Sequence, residues 1–148
     1  LIGVNALSST TAWAVGGAET PVYKTVDGGV TWFTDNDAYV IAGDTNTIVM
    51  ADERHGWAGG DHGTLLHTTD GWATHENQQA SMMTFASITA LDAQTAWATT
   101  YAQVVASDAS EAGGGEIVRT CDGGSTWEHQ SLPAGEEMIT ISFVGARR

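Results

Sequence analysis

The sequence predicts an all-β fold built from β-propeller blades, and three repeated patterns support this prediction. An eight-residue segment of the form Thr-x-Asp-x-Gly-x-Thr-Trp occurs twice in full and once in altered form. A short stretch with a conspicuous Trp precedes each copy, and an alternation of apolar residues precedes each Trp. Repeats of this kind, with short strands and Gly-rich turns, are typical of four-stranded propeller blades.

The first element of each repeat is a strand with one apolar face. Apolar residues stand nine and seven positions before each Trp, and period-two alternation indicates a half-buried strand; the pairs are Val4 and Ala6, Ile48 and Met50, and Ile88 and Ala90. The alternation returns at Ile139, Ile141 and Phe143. We therefore expect a single propeller domain or fragment, an open arc of three blades at residues 1–43, 44–84 and 85–135 and the first strand of a fourth at 136–148.

The second element is the strand that carries the Trp. Trp13, Trp57 and Trp97 follow one another at intervals of 44 and 40 positions. The third repeat is longer, and its extra residues are best placed in the polar, Gly-rich stretch 107–115. No long stretch has apolar residues at helical spacing, so little helix is expected.

The third element is the eight-residue segment, which reads as a hairpin corner. Its Asp can accept backbone N–H bonds within the turn, its Gly can adopt positive φ, and its Trp can anchor the corner by burial. The residues of the two complete copies are Thr25, Asp27, Gly29, Thr31 and Trp32, and Thr120, Asp122, Gly124, Thr126 and Trp127. The altered copy keeps Thr68, Asp70 and Thr74, but Trp72 replaces Gly and His75 replaces Trp.

This segment resembles the Asp-box, or BNR repeat, of sialidases, sortilin-type receptors and xyloglucanases. With the upstream Gly-Trp-Ala stretch, the chain is most similar to propellers of the photosystem II stability and assembly factor type. The resemblance covers nearly the whole chain as three repeats. It implies a structural turn role for Asp27, Asp70 and Asp122, and it slightly favours an extracytoplasmic location.

The composition excludes several partners. The net charge is −13, with Lys24 as the single Lys, so phosphate backbones and anionic lipids would be repelled and nucleic acid is not an expected partner. No apolar run approaches ~18 residues, so membrane insertion is not expected. No signal peptide is visible, although the chain begins at Leu1 and an upstream one stays open. We expect neither cofactor nor metal, because His62, His67 and Asp61 match no recognised ligand spacing.

Enzymatic chemistry has few candidate residues. A sialidase would need a cluster of three arginines, and two of the four in the chain, Arg147 and Arg148, end it. Glycoside hydrolysis needs two carboxylates, for which Asp52 and Asp92 are candidates because they hold similar positions in successive blades. The alternative for both is an ordinary turn before the Trp strand.

The expected function is that of a non-catalytic binding or assembly-scaffold module that recognises a protein or a glycan. The alternative is a glycan-active hydrolase, or its remnant, with a carboxylate pair on the propeller face. Trp72 and His75 are the candidate binding residues, and Trp72 is either packed or exposed as a contact. Three blades do not close a ring, so we expect self-association, such as a dimer with six blades, or the remainder of a longer propeller.

Overall fold

The computed structural model describes residues 2–16, 22–34, 45–101, 114–133, 136 and 140–142. Within these ranges the chain forms eleven strands. They are β1 Gly3–Ala6, β2 Ala12–Val15, β3 Tyr23–Thr25, β4 Thr45–Met50, β5 Gly56–Gly60, β6 Leu65–Thr68, β7 Glu76–Asn77, β8 Thr84–Ala90, β9 Ala96–Tyr101, β10 Glu116–Thr120 and β11 Glu128–Ser131. Most of the predicted insertion at 107–115 and of the predicted terminal strand, including Ile139 and Phe143, lies outside the described residues.

The strands form three antiparallel sheets in which each strand pairs with the next along the chain, in the orders β1-β2-β3, β4-β5-β6-β7 and β8-β9-β10-β11. This confirms the all-β, blade-like fold class. The first sheet has a rudimentary fourth strand, because Phe33 exchanges two backbone hydrogen bonds of 2.8 and 2.9 Å with Lys24. The helical content of the described ranges is one turn at Asp61–Gly63, and no helix there has the length and apolar character to cross a bilayer.

The sheets pack face to face through their first strands, with β1 beside β4 and β4 beside β8. Residues 140–142 contact the third sheet: the Ser87 hydroxyl of β8 lies 3.4 Å from both the backbone nitrogen and the carbonyl oxygen of Ile141. Ile88 faces the second sheet, so by strand alternation Ser87 points to the opposite side. The described part of the predicted terminal strand therefore lies on the side of β8 that faces away from the second sheet, and a fourth blade there stays a prediction.

Two core layers hold the sheets together. The first, between the first and second sheets, contains Trp13, Val15, Ile48, Met50, Ala58, Leu66 and Trp72. The second, between the second and third sheets, contains Val49, Trp57, Leu65, Ala80, Phe85, Ile88, Ala96, Ala98 and Val118. Strand β5 is buried on both faces, since Trp57 and Ala58 point into different layers. Gly59 permits this close packing, because a Cβ there would lie 2.7 Å from Cβ of Phe85.

The first sheet presents an open apolar face. Val4 is 69% exposed, whereas its counterparts Ile48 and Ile88 are 5% and 6% exposed because each packs against the preceding sheet. The Trp32 indole is 39% exposed, while its counterpart Trp127 packs against the second core layer. The face formed by Ile2, Val4 and Trp32 thus has the chemistry of a blade-to-blade interface and no sheet on it among the described residues.

Candidate functional sites at the two edges of the blades

The three segments that resemble the Asp-box, for which we keep that name, form the same hydrogen-bonded corner. In each box the first Thr hydroxyl donates to the Asp carboxylate, at 2.8 Å in the first, 3.0 Å in the second and 2.9 Å in the third. The carboxylate also accepts the N–H of the second Thr, at 2.9, 2.8 and 2.9 Å, and its hydroxyl, at 2.5, 2.6 and 2.7 Å. The altered second box therefore keeps the full carboxylate network that its Thr68, Asp70 and Thr74 allow.

These bonds favour the ionised form of each Asp. The side-chain and backbone bonds from Thr31, followed by the Thr25 hydroxyl, lower the pKa of Asp27 to about 2. Bonds from Thr74 and Thr126 act first in lowering the pKa of Asp70 and Asp122 in the same way. Each box carboxylate is thus fixed in place, and its hydrogen bonds are made within its own turn.

Each box docks on the turn between the first two strands of its own blade. The N–H groups of Gly28, Gly71 and Gly123 donate to the carbonyl oxygens of Thr10, Arg54 and Gln94, at 2.9, 2.8 and 2.9 Å. The boxes and these turns therefore share one edge of the blades, which we call the box edge. The β5–β6 turn lies at the opposite end of the strands, together with the end of the β7–β8 connection, where the Gly63 N–H donates to the Met83 carbonyl oxygen at 3.0 Å; we call this the far edge.

Asp52 and Asp92 lie in the turns at the box edge. Asp52 accepts the N–H groups of Arg54 and His55 at 2.7 and 2.8 Å, and Asp92 accepts those of Gln94 and Thr95 at 2.8 Å each. Burial opposes ionisation of Asp52, but the two N–H bonds together with the His55 imidazole, whose Nδ1 lies 2.9 Å away, outweigh it and lower its pKa. The bond from Gln94 acts first in lowering the pKa of Asp92. A general acid needs a raised pKa. These contacts support the turn alternative, and the catalytic pair stays a prediction.

The altered box places its Trp inside the protein. Trp72 is 4% exposed, lies in the first core layer and directs its indole N–H at the Met50 sulfur, 3.0 Å away. It occupies the left-handed backbone position, with φ 77°, that Gly29 and Gly124 fill at 90° and 88° in the other boxes. A contact role would need this ring at the surface, so the packed alternative is the one its position favours. His75, the other predicted binding residue, is half-buried at the end of the box.

A basic residue stacks on the blade Trp in every repeat, which the sequence analysis missed. Each stack joins the residue just before a box to the Trp opposite it in the register. The Lys24 ammonium lies 5.1 Å from the centre of the Trp13 ring, and the Arg119 guanidinium carbon lies 5.5 Å from that of Trp97. The ring centres of His67 and Trp57 are 4.7 Å apart. The signal was present as a basic side chain directly before each of Thr25, Thr68 and Thr120.

In the described part of the chain, two cavities lie between side chains of the second and third sheets, and neither was predicted. The box-edge cavity measures about 570 Å³ and is bordered by side chains of β6, β7 and the third Asp-box. The far-edge cavity measures about 520 Å³ and is lined by His62, Gly63, Gln79, Ala80, Ser81, Met82, Glu116 and His129. Both lie within the range of roughly 300–1,000 Å³ common for small-ligand sites.

A carboxylate network forms one wall of the far-edge cavity. Glu116 accepts the Ser81 hydroxyl at 2.5 Å with one oxygen, and His129 Nδ1 lies 2.8 Å from the other. The Glu116 side chain is 15% exposed, and Met82, which lines the same cavity, is 94% exposed. The carboxylate stands between the hydroxyl and the imidazole, so His129 is not placed to activate Ser81 as a nucleophile. In the described part of the chain, no three His, Cys, Asp or Glu side chains are grouped to hold a metal ion.

Solved β-propeller structures share this fold. The chain matches YCF48 bound to D1 peptide with a TM-score of 0.69 and 24% identity, over 93% of this chain and 42% of that one. It matches an ancestral GH74 enzyme with a TM-score of 0.68 and 15% identity, over 90% and 18% of the two chains, and YCF48 from Cyanidioschyzon merolae with 0.50 and 18%, over 98% and 61%. No protein-family model and no curated protein matches the chain.

These likenesses confirm the predicted similarity to propellers of the photosystem II assembly factor type at the level of the fold. The chain spans 42% of the YCF48 structure and 18% of the GH74 structure. Activities and partners of those longer proteins therefore do not transfer to it directly.

Proposed function

We propose that the chain is a non-catalytic binding module that recognises a cationic segment of a protein partner at the far-edge cavity. The observation that carries this proposal is the Glu116 carboxylate, which Ser81 and His129 hold in a cavity bordered by the exposed Met82. A fixed carboxylate can accept further hydrogen bonds from a Lys or Arg head group. A flexible thioether beside it can contact the aliphatic stem of the same side chain.

The charge of the chain supports a cationic partner. Eighteen acidic side chains against five basic ones produce a negative field that attracts basic segments and speeds their encounter. A protein of the same fold has been solved with a peptide bound, which supports a peptide as the kind of ligand.

The alternative is a glycan-active hydrolase that uses Asp52 and Asp92, and likeness in fold to a GH74 enzyme is its support. Both carboxylates accept backbone N–H bonds in their own turns, so we prefer the binding module. A panel of glycosides tests the alternative: turnover by the wild-type chain that disappears in Asp52→Asn or Asp92→Asn would reverse the preference.

We also propose that the open apolar face of the first sheet is covered by another blade. Its residues Ile2, Val4 and Trp32 correspond in position to residues that bury against a preceding sheet elsewhere in the chain. A second copy, which gives six blades in a dimer, and the remainder of a longer propeller are both suitable sources. Sedimentation of the 148-residue chain distinguishes them: a concentration-dependent dimer that Val4→Glu dissociates supports the second copy, and a stable monomer excludes it.

The experiment for the binding proposal is selection of peptides from a random twelve-residue library displayed on phage, followed by calorimetry with the selected peptides. We expect enrichment of Lys and Arg next to apolar residues. Loss of one charge-assisted contact, worth about 1.5–3 kcal/mol, should make Glu116→Gln bind roughly 10- to 100-fold more weakly.

Glu53→Gln is the matched control, because it removes the same charge from an exposed turn at the box edge. It should leave affinity nearly unchanged. Equal weakening in both variants would show general charge attraction and contradict the proposed site, as would a selection without basic residues.

A further inference from the structure

The box-edge cavity contains buried polar atoms that have no partner. His67 is 7% exposed, stacks on Trp57 and lines the cavity, and its Nε2 atom makes no hydrogen bond among the described residues. The indole Nε1 of Trp127, another lining residue, is buried and unpaired in the same way. Trp13 Nε1 and the hydroxyls of Thr45, Thr84 and Thr99 are buried and unpaired as well and do not line the cavity, so the two atoms show the polar character of this wall and do not by themselves indicate a ligand.

The rest of the lining is polar and uncharged, or acidic. The side-chain amides of Asn77, Gln78 and Gln94 can donate and accept hydrogen bonds, and the carboxylate of Glu76 can accept them. Trp127 contributes an aromatic wall. No Lys or Arg is among the described lining residues, so the cavity offers nothing to neutralise an anionic ligand.

The cavity is formed before any ligand binds, because one side chain ties its two sides together. The Gln78 amide donates to the carbonyl oxygen of Gly123 in the third Asp-box at 3.0 Å, and it accepts the indole N–H of Trp57 at 3.3 Å. A Cβ at position 124 would lie 2.0 Å from the Gln78 amide oxygen, so Gly124 is needed for this amide to fit. A preformed site loses less entropy on binding than one that must order itself.

We infer that the box-edge cavity is a binding site for a neutral oligosaccharide. Such a ligand has many hydroxyls, each of which can donate and accept, and apolar ring faces that can cover an aromatic side chain. The amides and Glu76 match the hydroxyls, and Trp127 matches a ring face. This site adjoins the proposed protein-binding cavity at Gln79 but is otherwise lined by different residues, and it does not depend on that function.

The test is a printed array of neutral oligosaccharides from β-glucan, mannan, xylan and galactan, probed with the full chain. The sugar with the strongest signal is then titrated by NMR. We expect the indole N–H signal of Trp127 and the imidazole signals of His67 to shift. Gln94→Ala, an exposed side chain, should weaken binding at least fivefold, and so should Trp127→Phe.

Gln130→Ala is the matched control, because Gln130 is exposed on β11 and does not line the cavity. Its affinity should stay within about twofold of wild type. An array on which no sugar binds the chain overturns the inference, and so does an NMR titration without shifts at millimolar sugar. Binding that Gln94→Ala and Trp127→Phe leave unchanged also overturns it, and so does a Lys- and Arg-rich peptide that shifts the Trp127 and His67 signals while no sugar does.

Discussion

At position 72 a Gly substitution should be more stable than an Ala substitution, which is the reverse of the usual order of stability. Trp72 is a buried residue in the left-handed backbone region, at φ 77°. Either substitution removes the indole from the first core layer, at a cost of about 3–5 kcal/mol. Ala keeps a Cβ in the left-handed region, which costs roughly 1–2 kcal/mol, whereas Gly does not.

Trp72→Gly should therefore be about 1 kcal/mol more stable than Trp72→Ala. For a chain of this size that difference corresponds to roughly 2–4 °C in melting temperature. The matched control is Trp57, a buried Trp in the strand β5. There Gly should be less stable than Ala by about 0.5–1 kcal/mol, because Gly loses more freedom in an extended strand.

Urea denaturation followed by circular dichroism measures all four variants, and equal slopes allow their midpoints to be compared directly. A Trp72→Ala variant that is as stable as Trp72→Gly, or more stable, would refute the penalty for a Cβ at this position. That result would mean that the second box does not require a left-handed residue.

Three further predictions concern the boxes and the core. Thr120→Val should lower the free energy of unfolding by about 1–3 kcal/mol, because it removes the buried hydroxyl that accepts the Gly124 N–H; an unchanged urea midpoint would contradict this. Gly59→Ala should lower the free energy of unfolding by about 1–3 kcal/mol, because the added Cβ would contact Phe85. Gly29→Ala, at an exposed position with φ 90°, measures the cost of positive φ without such a contact. Because the pKa of Asp27 falls from 3.8 to about 2 on folding, its stabilising effect should be complete above about pH 4 and disappear as the pH falls through 2. Asp27→Asn should flatten this acid limb in a pH series of urea titrations, and an identical limb in both proteins would contradict the assignment.

The sequence was informative where chemistry repeats locally. The box residues predict their own hydrogen bonds, because Thr25, Asp27 and Thr31 lie within seven positions of one another. Trp72 was not decidable, since the same residue could have covered the surface or entered the core, and only the tertiary packing against Met50 selects one.

The cavities could not be predicted because they are assembled from distant segments. The far-edge network joins Ser81 of the β7–β8 connection to Glu116 and His129 of two strands. Their spacing along the chain does not predict this contact. The open face of the first sheet is also a tertiary property. Val4 reads like Ile48 and Ile88 in the sequence, and it differs only because the structure places no sheet against it among the described residues.

NMR mapping of the chain during titration with the Lys- and Arg-containing peptide that phage selection yields tests directly whether the far-edge cavity binds a protein segment. Shifted backbone signals should concentrate at residues 62–63, 79–82, 116 and 129, around the far-edge cavity. Glu116→Gln should remove these shifts, while Glu53→Gln should preserve them. Shifts spread evenly over the acidic surface, or concentrated at the box edge, would contradict the assignment of the far-edge cavity as the protein-binding site.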